Sequence, residues 1–299
     1  MAKSPQKKSP APKAKDKSFK LNATTLTWGT VATVLAVVVT FTLITVTKSP
    51  STAPSAPPAM IAAATSSLAN IPASTFDSVG VASPAAAVLP LTKVANPVAL
   101  TNKKLPEVLY VGAEFCPYCA AERWALIAAL DRFGHFQGIG PMFSAPSPES
   151  YPHTPSFTFV NATYSSKYLA FKSYETQTVD HKTLQSLSKA DEAIFAKYDT
   201  YTYIPSIGSP QYNGSIPFID VAGQFLQGGA SYTPGLLNNL TQGQIADGLA
   251  DPTNPITQAI LATANYMTAS ICATTHGNPS NVCLSKGVQA AAKAMKITF

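Results

Sequence analysis

This sequence of 299 residues is poor in cysteine and in charge: it contains four Cys, and Asp, Glu, Lys and Arg make up 12% of it. So few cysteines exclude a small disulfide-stapled fold. The net charge of +6 is concentrated at one end, because residues 1–20 hold seven Lys and one Asp and leave 14 charges of each sign in the remaining chain. Because residues 21–299 carry no excess positive charge, the sequence predicts no nucleic-acid partner. The hydrophobic content of 46% excludes a disordered protein and suffices for one or two domains.

An uncharged stretch, residues 21–47, follows the basic tail of residues 1–20. About 20 apolar residues cross a bilayer as a helix, whereas the apolar part of a cleaved signal peptide, the alternative, is roughly 7–15 residues long. The length therefore favours one uncleaved transmembrane helix. Because lysine clusters stay in the cytoplasm, the tail is predicted to be cytoplasmic and the chain after the helix extracytoplasmic.

Residues 48–75 are rich in Pro, Ala and Ser, a composition typical of a linker that holds a domain away from the membrane. The remaining chain, residues 76–299, is predicted to form one extracytoplasmic domain. Its first apolar residues, up to about residue 91, would add a strand or wrap around that domain.

A Cys-Pro-Tyr-Cys motif stands between a predicted strand and a predicted helix. Residues 107–112 are apolar and β-branched, as in a buried strand, and residues 120–133 show the apolar spacing of a helix. Cys116 is predicted to cap this helix, with Pro117 as its first residue, where a missing N–H costs nothing. The helix dipole favours a thiolate at that position. Cys116 is thus expected to be the exposed attacking thiol, and Cys119, one turn into the helix, the buried thiol that resolves the mixed disulfide.

The CxxC motif alone leaves two other interpretations open. Zinc sites also use it, but the ten residues between Cys272 and Cys283 are not a ligand-pair spacing, and the four His are scattered, so no metal is assigned. A purely structural disulfide between Cys116 and Cys119 is the second alternative.

The rest of the domain alternates between predicted strands and helices. Strands are predicted at 156–164 and 167–174 with a turn at 165–166, and a β-hairpin at 214–228 with its turn at 222–223; helices are predicted at 181–198, 236–249, 255–273 and 286–296.

This order of elements resembles the thioredoxin fold, which implies an α/β class: a three-layer α/β/α sandwich, here with extra C-terminal helices and one preceding transmembrane helix. In that family a cis-proline opening the hairpin faces the cysteines and the backbone before it pairs with an extended substrate. The resemblance therefore implies that Ile216–Pro217 is cis and that Ile216, Pro217, Pro117 and Tyr118 bind substrate. It implies no cofactor.

A more particular resemblance rests on residues 112–125, on Phe133-Gly134, on residues 164–168 and on the Cys272 and Cys283 pair. Together they are similar to an uncharacterised archaeal family of membrane-anchored, thioredoxin-like proteins, described as a domain of unknown function. The resemblance covers residues 76–299 and brings no reaction. The chain departs from thioredoxins at Tyr110, because they carry a buried acid six residues before the first cysteine.

Cys272 and Cys283 flank a loop containing Gly, Asn and Pro, between two predicted helices. A structural disulfide suits this loop and an oxidising outer compartment, and a second redox pair that relays electrons is the alternative. Near the motif, Glu114 and Glu122 are expected to be solvated charges. In the functional alternative, Glu122 or Arg123 tunes the pKa of the thiols.

The sequence therefore predicts a membrane-tethered, extracytoplasmic thiol–disulfide oxidoreductase. Its expected partners are Cys-containing secreted or membrane proteins and a partner that recycles the redox pair. Two other hypotheses stay open: a protein that handles copper or another soft metal through the CxxC motif, and a non-enzymatic envelope module whose cysteines are structural.

Overall fold

The computed structural model describes residues 66–82 and 87–299. The predicted cytoplasmic tail, the predicted transmembrane helix at 21–47 and residues 48–65 of the predicted linker lie outside the described residues. Within the described ranges, the structure contains no helix that combines the length and the apolar character required to cross a membrane.

The described chain is a mixture of strands and helices, which confirms the predicted α/β class. The strands are β1 (Thr92–Lys93), β2 (Thr101–Asn102), β3 (Leu105–Gly112), β4 (Gly134–Gln137), β5 (Gly140–Phe143), β6 (Pro155–Thr158), β7 (Thr163–Ser166), β8 (Ala170–Glu175), β9 (Phe218–Val221) and β10 (Phe225–Gly228). The helices are α1 (Ala73–Val79), α2 (Pro117–Leu130), α3 (Lys189–Tyr198), α4 (Gln242–Gly248), α5 (Pro255–Thr274), α6 (Ser280–Cys283) and α7 (Lys286–Met295). Short 3-10 helices occupy Pro205–Ile207, Pro210–Tyr212 and Pro234–Leu237.

Strand β3 lies at the centre of a six-stranded sheet. It pairs in parallel with β8 on one side and antiparallel with β9 on the other, and β10 and β1 continue the sheet beyond β9. The short strand β2 pairs with the beginning of β3. Two further pairs, β4 with β7 and β5 with β6, form separate two-stranded antiparallel sheets.

Successive residues of β3 enter two different hydrophobic cores, because side chains alternate between the faces of a strand. Val108 and Tyr110 belong to the larger core, which also takes in helices α2 and α5. Leu109 and Val111 belong to the smaller core, with Tyr198 at the end of α3. The sheet is therefore buried on both faces, as its continuous apolar strands require.

Two predicted elements of the middle region differ from the structure. The strand predicted at 156–164 is two strands, β6 and β7, which pair with different partners, and the turn predicted at 165–166 is instead part of β7. The helix predicted at 181–198 begins only at Lys189, because the hydroxyl of Ser188 accepts a hydrogen bond from the backbone N–H of Asp191 and caps the helix there. The residues before Ser188 instead turn back after β8 and form an isolated bridge between Gln177 and Thr183.

The C-terminal helices predicted at 255–273 and 286–296 are confirmed, whereas the helix predicted at 236–249 is divided. A 3-10 helix ends at Leu237, and α4 starts after Thr241, which forms a capping box with Gln244. Near the N-terminal end of the described chain, Leu68 and Phe76 are buried in the larger core. The folded part of the chain thus includes residues that their composition assigns to the linker.

Candidate active site

Cys116 stands at the junction of β3 and α2, as the sequence predicts. β3 ends at Gly112, Cys116 is the N-cap of α2 in an extended conformation, and Pro117 is the first helical residue. Helix α2 is surrounded by protein, because every one of its residues except Tyr118 is buried. The first turn of a rigid helix therefore holds both cysteines of the motif in place.

The two cysteines are free thiols that differ in their accessibility. The Sγ atom of Cys116 accepts a hydrogen bond from the backbone N–H of Cys119 at 3.3 Å. Cys116 is 5% exposed and Cys119 is 0% exposed. Cys116 is thus more deeply buried than the sequence analysis expects, although it is still the more accessible sulfur of the pair.

The environment moves the pKa values of the two thiols in opposite directions. A hydrogen bond from the Cys119 side chain lowers the pKa of Cys116; burial opposes this, while backbone N–H groups and the positive charge of Arg123 support it. Burial raises the pKa of Cys119 well above its ordinary value, and the hydrogen bond to Cys116 raises it further. Cys116 is therefore the thiol that ionises first.

The Ile216–Pro217 peptide bond lies directly across from Cys116 and is cis. The Cys116 thiol donates to the carbonyl oxygen of Ile216 at 3.8 Å. The carbonyl of Pro217 accepts a hydrogen bond from the backbone N–H of Gly229 at 2.8 Å, which ties this turn to β10. The structure thus brings together the cysteines and the Ile-Pro pair that the sequence analysis assigns to one site.

Tyr118 forms the rim of this site, with 41% of its surface exposed and its ring edge-on to Tyr151. It also lines a neighbouring cavity of about 440 Å³. Among residues 66–82 and 87–299, those that line the cavity carry no charged side chain and include Leu89, Tyr232, Leu236, Pro255 and Gln258. An uncharged hollow therefore opens beside the motif.

A buried ion pair, which the sequence does not predict, lies beneath the motif. The guanidinium of Arg123 donates from Nε and Nη2 to the carboxylate of Glu175 at 2.9 and 2.6 Å, and from Nη2 to the carbonyl of Ala113 at 2.8 Å. Both side chains are fully buried. Burial lowers the pKa of Arg123, but the carboxylate overrides this and the net shift is upward; burial raises the pKa of Glu175, and the arginine opposes that shift. The only sequence signal was the adjacent charged pair Glu122 and Arg123 in a helix that is otherwise rich in Ala and Leu.

The expectation that Glu122 is solvated is wrong. It is fully buried, and its carboxylate accepts hydrogen bonds from the backbone N–H and the hydroxyl of Ser231 at 2.7 and 2.8 Å. Burial raises its pKa to about 7. Glu114 is half-buried and accepts from the hydroxyl of Thr158 at 2.7 Å. Glu122 thus ties α2 to the segment after β10, whereas the positive charge of Arg123, the other candidate for tuning the thiols, acts to lower the pKa values of both cysteines.

Cys272 and Cys283, for which the sequence predicts a disulfide, lie at bonding distance, with their Sγ atoms 1.98 Å apart. Both are buried in the larger core, at the end of α5 and in α6. Their sulfur atoms are therefore not free to share a metal ion with the CxxC motif. Across the described ranges, no three or more His, Cys, Asp or Glu side chains are grouped as a metal site would require.

Comparison with known proteins places this site within a family. One family model, described as Domain of unknown function (DUF929), matches residues 91–273, which is more than half of the chain. The match includes Cys116, Cys119 and the Ile216–Pro217 pair. Neither a curated protein nor a solved structure matches the sequence.

Proposed function

The chain belongs to the family described as Domain of unknown function (DUF929), a description that names no reaction, and we propose from the site itself that it acts as a protein thiol–disulfide oxidoreductase. The reactive pair is Cys116 and Cys119. Its substrates are Cys-containing secreted or membrane proteins, and a further redox partner returns the pair to its starting state. The protein is tethered to the membrane by residues 21–47, and the catalytic domain is extracytoplasmic.

The observation that carries this proposal is the difference between the two thiols. Cys116 caps a helix, has a lowered pKa and keeps some exposure, whereas Cys119 is sealed in the interior with a raised pKa. A purely structural disulfide needs no such difference. Thiol–disulfide exchange does, because one sulfur must meet the substrate as a thiolate and the other must act only afterwards.

The fold is interpreted as thioredoxin-like. A strand leads into the CxxC motif and a helix, and a later hairpin begins with a cis-proline next to the first cysteine. Helices on both faces of the sheet support a three-layer α/β/α arrangement. In this interpretation Ile216, Pro217, Pro117 and Tyr118 contact the substrate polypeptide.

The proposed reaction exchanges one disulfide for another. The thiolate of Cys116 attacks a substrate disulfide, forms a mixed disulfide and releases one substrate sulfur, which takes a proton from water. Cys119, after losing its proton to solvent, then attacks Cys116, and the second substrate sulfur leaves with the electron pair. The substrate gains two electrons and the Cys116–Cys119 pair loses two. In reverse, the same steps oxidise a substrate dithiol, and the reduction potential of the pair sets the direction.

Trapping of the mixed disulfide tests this function. The full-length protein with Cys119→Ser, which keeps the nucleophile and removes the resolving thiol, should accumulate mixed disulfides with model disulfide proteins. The matched Cys116→Ser variant should accumulate none. Absence of trapping in both variants would contradict the proposal, as would stoichiometric copper binding by the reduced protein that alkylation of the cysteines abolishes.

A further inference from the structure

Arg123 lies directly beneath the reactive pair. It follows Cys119 by four residues on α2, so the two side chains lie on the same face of the helix, about one turn apart. Its partner Glu175 ends β8 and pairs across the sheet with Gly112, the last residue of β3 before the motif. Arg123 also holds the carbonyl of Ala113, whose residue packs against both cysteines.

Structural stabilisation alone does not account for an ion pair in this position. Burying two charges costs free energy that their attraction often does not recover, and well-packed apolar side chains commonly replace such pairs without loss. The arginine is also incompletely matched, because its Nη1 atom is buried and finds no hydrogen-bond partner within the described part of the chain. The hydroxyl of Tyr110, whose ring lies 5.8 Å from the guanidinium carbon, is likewise buried and without a partner. Two groups that can donate a hydrogen bond are thus unused near the two cysteines.

The proposed exchange chemistry requires a positive charge or a hydrogen-bond donor close to Cys119. Whether the pair oxidises or reduces its substrate, Cys119 carries a negative charge at one step. It leaves as a thiolate when a substrate thiolate attacks Cys116 and breaks the Cys116–Cys119 bond, or it loses its proton to solvent and then attacks Cys116. A thiolate with no exposure to water is costly unless a positive charge or a donor faces it. Among the charged side chains, Arg123 acts favourably on both sulfurs.

We propose that Arg123 is a positioning residue that stabilises the thiolate of Cys119, and that Glu175 limits this effect by neutralising part of the arginine's charge. The inference rests on the proposed function and extends it. Arg123 also acts on Cys116, the thiol that ionises first, and stabilising the thiolate of the reduced pair favours the reduced form. The proposal therefore implies that the Arg123–Glu175 pair helps to set the reduction potential of the site.

Two near-isosteric substitutions should act in opposite directions. In the full-length protein, Arg123→Met should disfavour the reduced pair by about tenfold in its equilibrium with glutathione, which corresponds to a potential lower by about 30 mV. Glu175→Gln leaves the arginine's charge without its counter-ion and should favour the reduced pair several-fold. In the Cys116→Ser background, the pKa of Cys119, followed by the ultraviolet absorbance of the thiolate, should rise with Arg123→Met and fall with Glu175→Gln.

Glu122→Gln is the matched control, because Glu122 is an equally buried carboxylate on the same turn of α2 that faces Ser231 instead. It should change neither the potential nor the pH profile. Arg123→Lys keeps the positive charge, so its reduction potential should lie close to that of the unmodified protein and not to that of Arg123→Met.

Shifts in the same direction for Arg123→Met and Glu175→Gln, or shifts no larger than that of Glu122→Gln, would overturn the assignment. If Arg123→Met fails to fold, Glu175→Gln alone tests the proposal. If the reduction potential of that variant does not rise, the proposal is refuted. These measurements use glutathione and thiolate absorbance and no protein substrate. A failure here is therefore distinct from a failure to trap protein substrates.

Discussion

The sulfur of Cys116 lies 3.8 Å from the carbonyl oxygen of Ile216, although 100 positions separate the two residues. This contact follows from the pairing of β9 with β3, in which Phe218 lies opposite Val111. The residue just before β9 and the motif just after β3 therefore meet at the same end of the sheet. The sheet register, more than any local loop, assembles the site.

Cys119→Ala should raise the pKa of Cys116, because the hydrogen bond from the Cys119 side chain is the main cause of its lowered value. A hydrogen bond to a charged group contributes roughly 1.5–3 kcal/mol, so we expect a rise of about one pKa unit or more. Absorbance of the thiolate near 240 nm, followed against pH, measures it. Cys119→Ser retains a donor and should show a smaller rise, and equal values in the two variants would contradict this explanation.

Replacing both Cys272 and Cys283 by Ala should lower the free energy of unfolding by about 3 kcal/mol, the loop-entropy estimate for a sequence separation of 11. Denaturant unfolding under oxidising conditions measures the loss. The reduction potential of Cys116 and Cys119 should stay as in the unmodified protein. A changed potential would instead favour the alternative in which the second pair relays electrons.

Asp199 should make the protein less stable as the pH rises from about 4 to 7. The residue is 1% exposed, neither carboxylate oxygen has a hydrogen-bond partner among the described residues, and burial raises its pKa to about 7. In this window the folded state holds a proton that the unfolded state has lost, so the free energy of unfolding falls with rising pH. Burial also raises the pKa values of Asp220 and Glu122 to about 7, so both residues contribute to the same loss of stability.

Asp199→Asn removes one of these contributions. At pH 8 the variant should be more stable than the unmodified protein by about 1–3 kcal/mol, and at pH 4 the two should differ little. Thermal unfolding at both pH values provides the measurement. A variant that is less stable at pH 8 would show that the carboxylate has a favourable partner.

Leu89→Asp should weaken the binding of substrates that carry an apolar residue next to their cysteine. Leu89 lines the uncharged cavity beside Tyr118, which is proposed to contact the substrate. Loss of one apolar contact and burial of a charge should reduce kcat/KM by about tenfold or more for a Leu-containing peptide disulfide. Leu89 is 42% exposed, so folding should be unaffected. Leu284→Asp, at a leucine that is 68% exposed and outside the cavity wall, is the control and should leave kcat/KM unchanged. Equal effects in both variants would exclude the cavity from substrate binding.

The motif could be located from the sequence because its determinants are local. Cys116 caps a helix whose apolar spacing is visible in a single stretch, and α5 and α7 are equally evident. The Arg123–Glu175 pair could not be found in this way, since 52 positions separate its members and only the parallel register of β8 with β3 joins them.

The error at Glu122 has the same origin. A glutamate on a helix is normally solvated, but α2 is covered on all sides, and the partner of Glu122 lies 109 positions away. The error in the start of helix α3 has a local cause. Ser188 is a capping residue that marks the start of the helix, and a prediction from apolar periodicity alone does not take it into account.

The complete enclosure of Cys119 has a kinetic consequence for the proposed chemistry. A substrate collides with one sulfur only, so the first exchange is bimolecular and accelerates with substrate concentration. The second exchange is unimolecular, and its rate constant does not depend on substrate concentration. The lifetime of the covalent complex is then fixed within that complex, by the approach of Cys119 to Cys116 and by the sulfur that leaves.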